Sequence, residues 1–246
     1  MNKTIKNLII DLENIFEDRL VSIMLYGSAA FGEFKEKVSD LNLIIVIDKM
    51  TASDLKTALP AMKKWSKTKN PIPVFMDKEE MCNSCDVYPI EYSDIKERHK
   101  ILYGEYFLDS LIIKKEHIRL QCESEIRNLL IKLRQGYLRS NNDRKTIDNL
   151  VKKSTTSIIA VFRAVLRILD ESVPMCHKEV IELLSTKVSF DKDVFTDILI
   201  LREKNKSLSQ NDYVIVIQRL INSLKEVLKY VDKMEKFQEE IWKTRV

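Results

Sequence analysis

The chain of 246 residues is predicted to be an α+β protein, with a small mixed-sheet N-terminal domain followed by a C-terminal all-α helical bundle. Short apolar runs separated by turn-forming residues occur in the first half and indicate strands and short helices. In the second half, apolar residues recur with helical period over long stretches. Three of the four glycines and four of the five prolines precede residue 105, so we expect two domains, residues 1–110 and 111–246.

The first domain is predicted to alternate between helices and strands. A run such as Leu41–Ile47, apolar at nearly every position, is typical of a strand buried on both faces. Thr51 or Ser53 can cap the helix that follows it, and Asp77 can cap a later one. The predicted order is a helix over 3–17, a strand Val21–Tyr26, a short helix Ala29–Phe34, a strand Leu41–Ile47, a helix from Ser53 to about Lys67, a strand Pro73–Met76, a helix after Asp77, and strands Ile90–Ile95 and Lys100–Tyr103.

The second half is predicted to be helical throughout. Polar or proline-containing breaks at Asn141–Asp143, Ser172–Pro174 and Lys204–Ser209 separate its helical patterns. Helices of this length bury their apolar stripes against one another as a bundle. Their predicted ranges are about 112–139, 143–170, 176–186, 191–203 and 211–241.

The composition argues against several classes of protein. Apolar residues make up 45% of the chain but never form a run of about 18, so we expect no transmembrane helix and no membrane partner. The N-terminal segment has the pattern of an amphipathic helix rather than of a signal peptide. Four cysteines are too few for a disulfide scaffold, and Cys82-x-x-Cys85 lacks the second pair of a tetrahedral zinc site. We therefore predict a cytoplasmic protein with free thiols.

Charge is distributed unevenly along the chain. Residues 1–110 contain 15 Lys and Arg against 18 Asp and Glu, whereas residues 111–246 contain 26 against 19. A basic half beside an acidic site can attract polyanions, although a solvated lysine-rich helical surface explains the same distribution. No aromatic stacking platform accompanies the basic residues, so we do not expect nucleic acid as a partner.

The chemically informative residues lie at the first two strands. Gly27 and Ser28 end the first strand, and a Gly-Ser turn into a helix offers backbone N–H donors to phosphate oxygens. Asp40 and Asn42 open the second strand at positions i and i+2, which share one face. Carboxylate oxygens are the ligands that Mg2+ prefers. The pattern therefore indicates a site for a triphosphate and a hard cation.

A further carboxylate on a neighbouring strand is expected if two ions take part in the chemistry. Glu91 is the candidate because it lies on the predicted strand Ile90–Ile95, and Asp94, of opposite parity, is the alternative. We therefore expect Asp40, Asn42 and Glu91 to be the catalytic residues. The expected metal ligands are these three residues together with Asp94.

This arrangement resembles the nucleotidyltransferase superfamily that includes DNA polymerase beta. The family pattern is Gly-Ser or Gly-Gly, a short gap, and then Asp-x-Asp or Asp-x-Glu between apolar residues. Gly27-Ser28 and Asp40-Leu41-Asn42 stand in those places. The resemblance covers about residues 20–105, and the helical remainder looks like the helical domain that follows the catalytic domain in kanamycin nucleotidyltransferase.

The resemblance implies transfer of a nucleoside monophosphate from a nucleoside triphosphate such as ATP to a hydroxyl group of a small molecule or protein. It implies that Gly27 and Ser28 bind the phosphates, and that Asp40 bridges two magnesium ions. Asn42 departs from the family pattern, because its amide can coordinate magnesium but brings no charge. We therefore expect the second ion to bind weakly.

Two functions remain open at this point. Asp40 and Glu91 favour an enzyme, a nucleotidyltransferase. Asn42 favours the alternative, a catalytically inactive module on the same fold that senses nucleotide or binds a protein. The helical half does not identify a general base, and the sequence leaves the oligomeric state, including a homodimer, undetermined.

Overall fold

The computed structural model describes residues 3–31, 40–203 and 208–243. The chain divides into two compact units, Met1–Lys114 and Lys115–Val246. The predicted boundary follows residue 110, and the interpretation of residues 1–110 as a nucleotidyltransferase-like domain and of 111–246 as a helical bundle domain stays a prediction.

The first unit combines helices with a mixed sheet, as predicted. The prediction of an α+β fold with a small mixed sheet and a helical second part is confirmed. Capping explains where two of its helices begin: Thr51 and Asp54 form a reciprocal capping box, and the Asp77 side chain accepts from the Glu80 N–H. The elements of this unit are α1 (Lys3–Phe16), β1 (Leu20–Tyr26), β2 (Asn42–Ile47), α2 (Ala52–Ser66), β3 (Val74–Asp77), α3 (Lys78–Asn83), α4 (Pro89–Glu97) and β4 (His99–Gly104).

The described strands form a four-stranded sheet in the order β3-β2-β1-β4. β1 pairs antiparallel with both β2 and β4, and β2 pairs parallel with β3. The end of β1 therefore lies at the same edge of the sheet as the beginnings of β2, β3 and β4. We call this edge the Gly27 edge, because Gly27 directly follows β1 there.

Helices cover the sheet on both faces, which is why β2 is apolar at nearly every position. The residues of α1 and α2 pack on the face that carries Leu43 and Ile45, which we call the α1 face. Met81 of α3 and Tyr92 of α4 pack on the opposite face, with Ile44. We call this second face the α4 face.

One predicted strand is wrong. The segment Ile90–Ile95 is the core of helix α4, which begins at Pro89, where the missing N–H of proline costs nothing. Tyr92 and Ser93, three and four residues after Pro89, are buried, as expected for one face of a helix. The predicted helix Ala29–Phe34 is a 3-10 turn over Gly27–Phe31 as far as it is described, and its last residues lie outside the described part of the chain.

The second unit is helical in its described residues. Its helices bury a core that includes Phe162, Phe195 and Tyr213. None of the helices in the described residues combines the length and the apolarity needed to span a bilayer. The elements are α5 (Lys115–Arg139), α6 (Arg144–Ile168), α7 (His177–Lys187), α8 (Lys192–Glu203) and α9 (Gln210–Lys243).

Candidate functional site

The turn after β1 has a backbone that only glycine adopts easily. Gly27 has φ +75°, in the left-handed region, and begins the 3-10 turn Gly27–Phe31, which also contains Ser28. A β-carbon built on Gly27 would lie 3.4 Å from Nδ2 of Asn42. The turn and the start of β2 are therefore direct neighbours. Two of the predicted site residues, Gly27 and Asn42, are brought together.

Asn42 and Asp40 stand at the start of β2. Asn42 is partly buried and shares its strand face with Ile44, on the α4 face. Leu41 belongs to the core of the α1 face, so the alternation of the strand extends to this residue. Alternation therefore assigns Asp40 to the same face as Asn42, and Asp40 is exposed. This arrangement leaves the carboxylate of Asp40 accessible to a ligand at the Gly27 edge.

Strand pairing places three residues in one row along the Gly27 edge, and a fourth lies beside them just before β3. Asn42 pairs with Tyr26 of β1, and Tyr26 pairs in turn with His99 of β4. On the other side, β2 pairs with β3 from Ile44 and Val74 onward, and the same spacing, extended two residues before β3 begins, brings Ile72 level with Asn42. We call Ile72, Asn42, Tyr26 and His99 the edge row.

Two hydrogen bonds hold the residues immediately before Ile72. The Leu41 N–H donates to Oδ1 of Asn70 at 3.0 Å, which ties the segment before β3 to the start of β2. The indole N–H of Trp65 donates to the Pro71 carbonyl at 2.7 Å. Ile72 itself is 54% exposed, so it presents an apolar surface beside Asn42.

Two aromatic residues complete the edge row. Burial raises the pKa of Tyr26 above its ordinary value, so its phenol stays protonated at neutral pH and can donate a hydrogen bond. His99 Nδ1 lies 2.9 Å from the Ile95 carbonyl, and its ring stacks on Tyr106 with 5.4 Å between centroids. A carbonyl only accepts, so Nδ1 of His99 carries a proton and donates to the Ile95 carbonyl.

The two acidic residues predicted to complete the site lie on a helix. Glu91 is exposed in the first turn of α4, and Asp94 is partly buried one turn later. The strand that was expected to carry Glu91 toward Asp40 is therefore absent from this part of the described chain. Among the described residues, no three His, Cys, Asp or Glu side chains are grouped closely enough to hold a metal ion. The roles of Glu91 and Asp94 as ligands stay predictions.

The sequence analysis did not name Ile72, Tyr26 or His99 as residues of the site. The useful signal for His99 is the alternation of His99 and Ile101, which share one strand face. Tyr26 is recognisable as the last residue before Gly27. Ile72 has no local signal, because its position depends on the pairing of β2 with β3.

The second unit contains a cavity of about 330 Å3 between α8 and α9. Its lining is largely apolar, and its arginine, Arg219, donates to the Asp191 carboxylate at 2.6 and 3.0 Å. This ion pair lowers the pKa of Asp191 through the hydrogen bonds from Arg219. Because Arg219 is engaged with Asp191, the cavity is a weaker candidate for phosphate binding than the Gly27 edge.

Comparisons with known proteins support the fold. No protein-family model and no curated protein sequence matches the chain. The structure is similar to that of a spectinomycin adenyltransferase, AAD(9) from Enterococcus faecialis, solved with ATP and spectinomycin. The TM-score is 0.57 at 15% identity, over 91% of this chain and 98% of that one. A toxin-antitoxin structure with AMP-PNP matches 47% of this chain and 86% of its own, with 18% identity and a TM-score of 0.30. The chain thus has the nucleotidyltransferase fold.

Proposed function

We propose that this chain binds a nucleoside triphosphate at the Gly27 edge and transfers its nucleoside monophosphate to a hydroxyl group of a small molecule or a protein. The observation that carries the proposal is the meeting of the Gly27 turn with the start of β2, where Asp40 and Asn42 stand, in a fold similar to that of an adenyltransferase. A phosphate-binding turn and a carboxylate are the two groups that a metal-bound triphosphate requires.

The turn is the phosphate-binding part of the proposed site. The left-handed backbone of Gly27 leads directly into the 3-10 turn, whose first N–H groups have no partner within the turn itself. Such N–H groups bind phosphate oxygens. Ser28, the next residue, is proposed to bind phosphate as well.

In the transfer reaction, the oxygen of the acceptor hydroxyl forms a bond to the α-phosphorus, its proton passes to solvent, the bond from that phosphorus to the bridging oxygen breaks, and pyrophosphate leaves. Asp40 and Asn42 would hold a magnesium ion through a carboxylate and an amide oxygen. When bound, this ion neutralises phosphate charge and stabilises the reacting oxygens. The chain's own contribution is to fix the triphosphate against Gly27, so that the α-phosphorus is oriented toward the acceptor.

A second candidate function is nucleotide binding without transfer, for sensing or for interaction with a protein. The composition of the edge row favours it, because Ile72, Asn42, Tyr26 and His99 include no carboxylate. A site with one carboxylate, that of Asp40, is better suited to binding a metal-bound triphosphate than to rapid transfer, which relies on stronger compensation of the developing charge.

Calorimetric titration with a panel of nucleoside triphosphates, with and without magnesium, tests both candidates. We expect binding that requires magnesium, and we expect Asp40→Ala to weaken it by about tenfold or more, or ~1.4 kcal/mol. The matched control is Asp48→Ala, because Asp48 is also exposed but follows β2 at the opposite end of the strand. Pyrophosphate release in the presence of hydroxyl acceptors then separates transfer from binding alone.

The outcomes are distinct. If no triphosphate binds, both candidates are wrong. If Asp40→Ala and Asp48→Ala weaken binding equally, the Gly27 edge is not the site. Binding without pyrophosphate release from any acceptor would support the second candidate.

A further inference from the structure

The edge row has an unusual composition for a site that handles phosphate and divalent cations. Its side chains are an apolar group at Ile72, an amide at Asn42, a phenol at Tyr26 and an imidazole at His99. Asp40 therefore supplies the carboxylate at the start of β2. None of the four side chains in the edge row beside it is a carboxylate.

A pair of divalent ions needs more negative charge than this row supplies. Two ions about 4 Å apart repel each other strongly, and carboxylates close to both ions offset the repulsion. Asn42 can coordinate an ion through its amide oxygen, but a neutral ligand does not reduce the repulsion between two cations. Whether the sheet can hold a second ion therefore depends on the residues that flank Asn42 on its two sides.

The two neighbours of Asn42 do not fit that role. On the β3 side stands Ile72, which has no donor atom in its side chain. On the β1 side stands Tyr26, whose side chain ends in a phenol rather than a carboxylate. His99 is two strands away from Asn42, or about 10 Å at the usual strand spacing. None of these residues supplies an anionic ligand beside Asn42.

We infer that this chain binds a nucleoside triphosphate together with one divalent ion, held at Asp40 and Asn42, and that the four described strands of the sheet do not hold a second one. The inference rests on the nucleotide binding proposed above, which both candidate functions share. It deepens that proposal by assigning the missing ligands to two positions of the edge row, Asn42 and Ile72. Restoring a carboxylate at each position creates the second site.

The experiment counts Mn2+, whose free and bound forms are distinguished by electron paramagnetic resonance. Full-length protein is saturated with a non-hydrolysable ATP analogue and titrated with Mn2+, and the analogue alone is titrated as a blank. We expect one bound Mn2+ per chain in the wild type. We expect two in the double variant Asn42→Asp, Ile72→Glu, with the second ion bound at least tenfold more tightly than any second ion in the wild type.

The matched control is Ile72→Gln in the wild-type background, which changes shape and polarity as Ile72→Glu does but adds no charge. It should keep one Mn2+. Because Ile72 is exposed, neither substitution removes a buried side chain. The wild-type count does not depend on any variant, so it tests the inference even if the double variant fails to fold.

Each outcome has a definite meaning. Two Mn2+ per wild-type chain with the analogue bound would overturn the inference and leave the proposed nucleotide binding intact. A folded double variant that binds the analogue with one Mn2+ would overturn the assignment of Asn42 and Ile72. Absence of analogue binding by the wild type would overturn the proposed function, and the inference with it.

Discussion

A β-carbon on Gly27 would lie 3.4 Å from Nδ2 of Asn42, which is an ordinary contact distance. Space beside Asn42 therefore does not exclude a side chain at Gly27. The backbone conformation disfavours a side chain there, because φ at Gly27 is +75° and residues other than glycine adopt this conformation at a cost in free energy. The turn that faces the proposed nucleotide is thus strained for any residue except glycine.

Gly27→Ala is expected to lower the free energy of unfolding by about 1–3 kcal/mol, the usual cost of a left-handed non-glycine residue. It is also expected to weaken triphosphate binding, because relief of the strain would turn the N–H groups of Gly27–Phe31 away from the phosphates. Urea denaturation and calorimetry measure the two effects. Unchanged stability together with unchanged binding would show that the turn does not depend on this conformation.

Gly104→Ala is expected to be more damaging. Gly104 also has a left-handed backbone, with φ +79°, and its β-carbon would lie 2.0 Å from the Val21 carbonyl oxygen. This oxygen accepts from the Glu105 N–H at 3.0 Å, so the clash also disturbs the pairing of β1 with β4. Strain and overpacking together should cost roughly 3–5 kcal/mol.

The control for Gly104→Ala is Gly136→Ala in α5. There the nearest atoms are the ends of the Leu150 side chain, 2.6 and 2.8 Å from the added carbon, and they can move. Alanine also favours the helix. Urea denaturation should show a clearly smaller loss for Gly136→Ala, and an equal loss would contradict the account of the Val21 clash.

The parts of this structure that depend on local sequence were predictable. The helices α5 to α9 and the strands β1 and β2 follow from apolar periodicity, and the Asp77 cap follows from the residue type. The helix that begins at Pro89 was not predictable. Ile90, Tyr92 and Ile95 are all buried, and their spacing partly resembles the alternation of a strand. The proline at the first helical position was the better signal.

The candidate site was predictable where its residues lie close together in the sequence. Gly27, Asp40 and Asn42 lie within one stretch of sequence, and their proximity follows from a single pair of strands. Ile72 and His99 come beside them through the strand order β3-β2-β1-β4 and its registers. A register shift between Ile23 and Met24 changes which residue of β4 meets Tyr26, and nothing in the local sequence specifies it.

The cysteines should differ widely in reactivity. Burial raises the pKa of Cys122 to about 12, whereas Cys176 is exposed. At pH 8 Cys122 is then almost entirely in the protonated form, whereas the thiolate is the reactive form. Iodoacetamide should therefore modify Cys176 in the folded protein and leave Cys122 unmodified. Peptide mass spectrometry measures both sites in one sample, and urea-unfolded protein should be modified at both. Equal labelling in the folded protein would mean that Cys122 is not buried.

Stability at acid pH should depend on Asp54. Both Asp54 oxygens accept from the Arg19 guanidinium, at 2.8 and 2.9 Å, and the Thr51 N–H and hydroxyl each donate to Oδ2 at 2.8 Å. These hydrogen bonds, from Arg19 first and then from Thr51, hold the pKa of Asp54 well below its ordinary value of 3.8. A lowered pKa means that the folded state favours the carboxylate, so its contribution is complete above pH 3.8 and is lost as the pH falls further.

Asp54→Asn should therefore lower Tm at pH 7, because the amide loses the ion pair with Arg19 and one acceptor of the capping box with Thr51. The difference in Tm between wild type and variant should narrow as the pH falls below 3.8, since the wild-type carboxylate becomes protonated during unfolding. Thermal melts from pH 7 to pH 3 measure it, and the same substitution at the exposed Asp18 is the control. A difference that stays constant across this range would mean that charge at Asp54 contributes nothing, and that the residue acts through its shape and neutral hydrogen bonds alone.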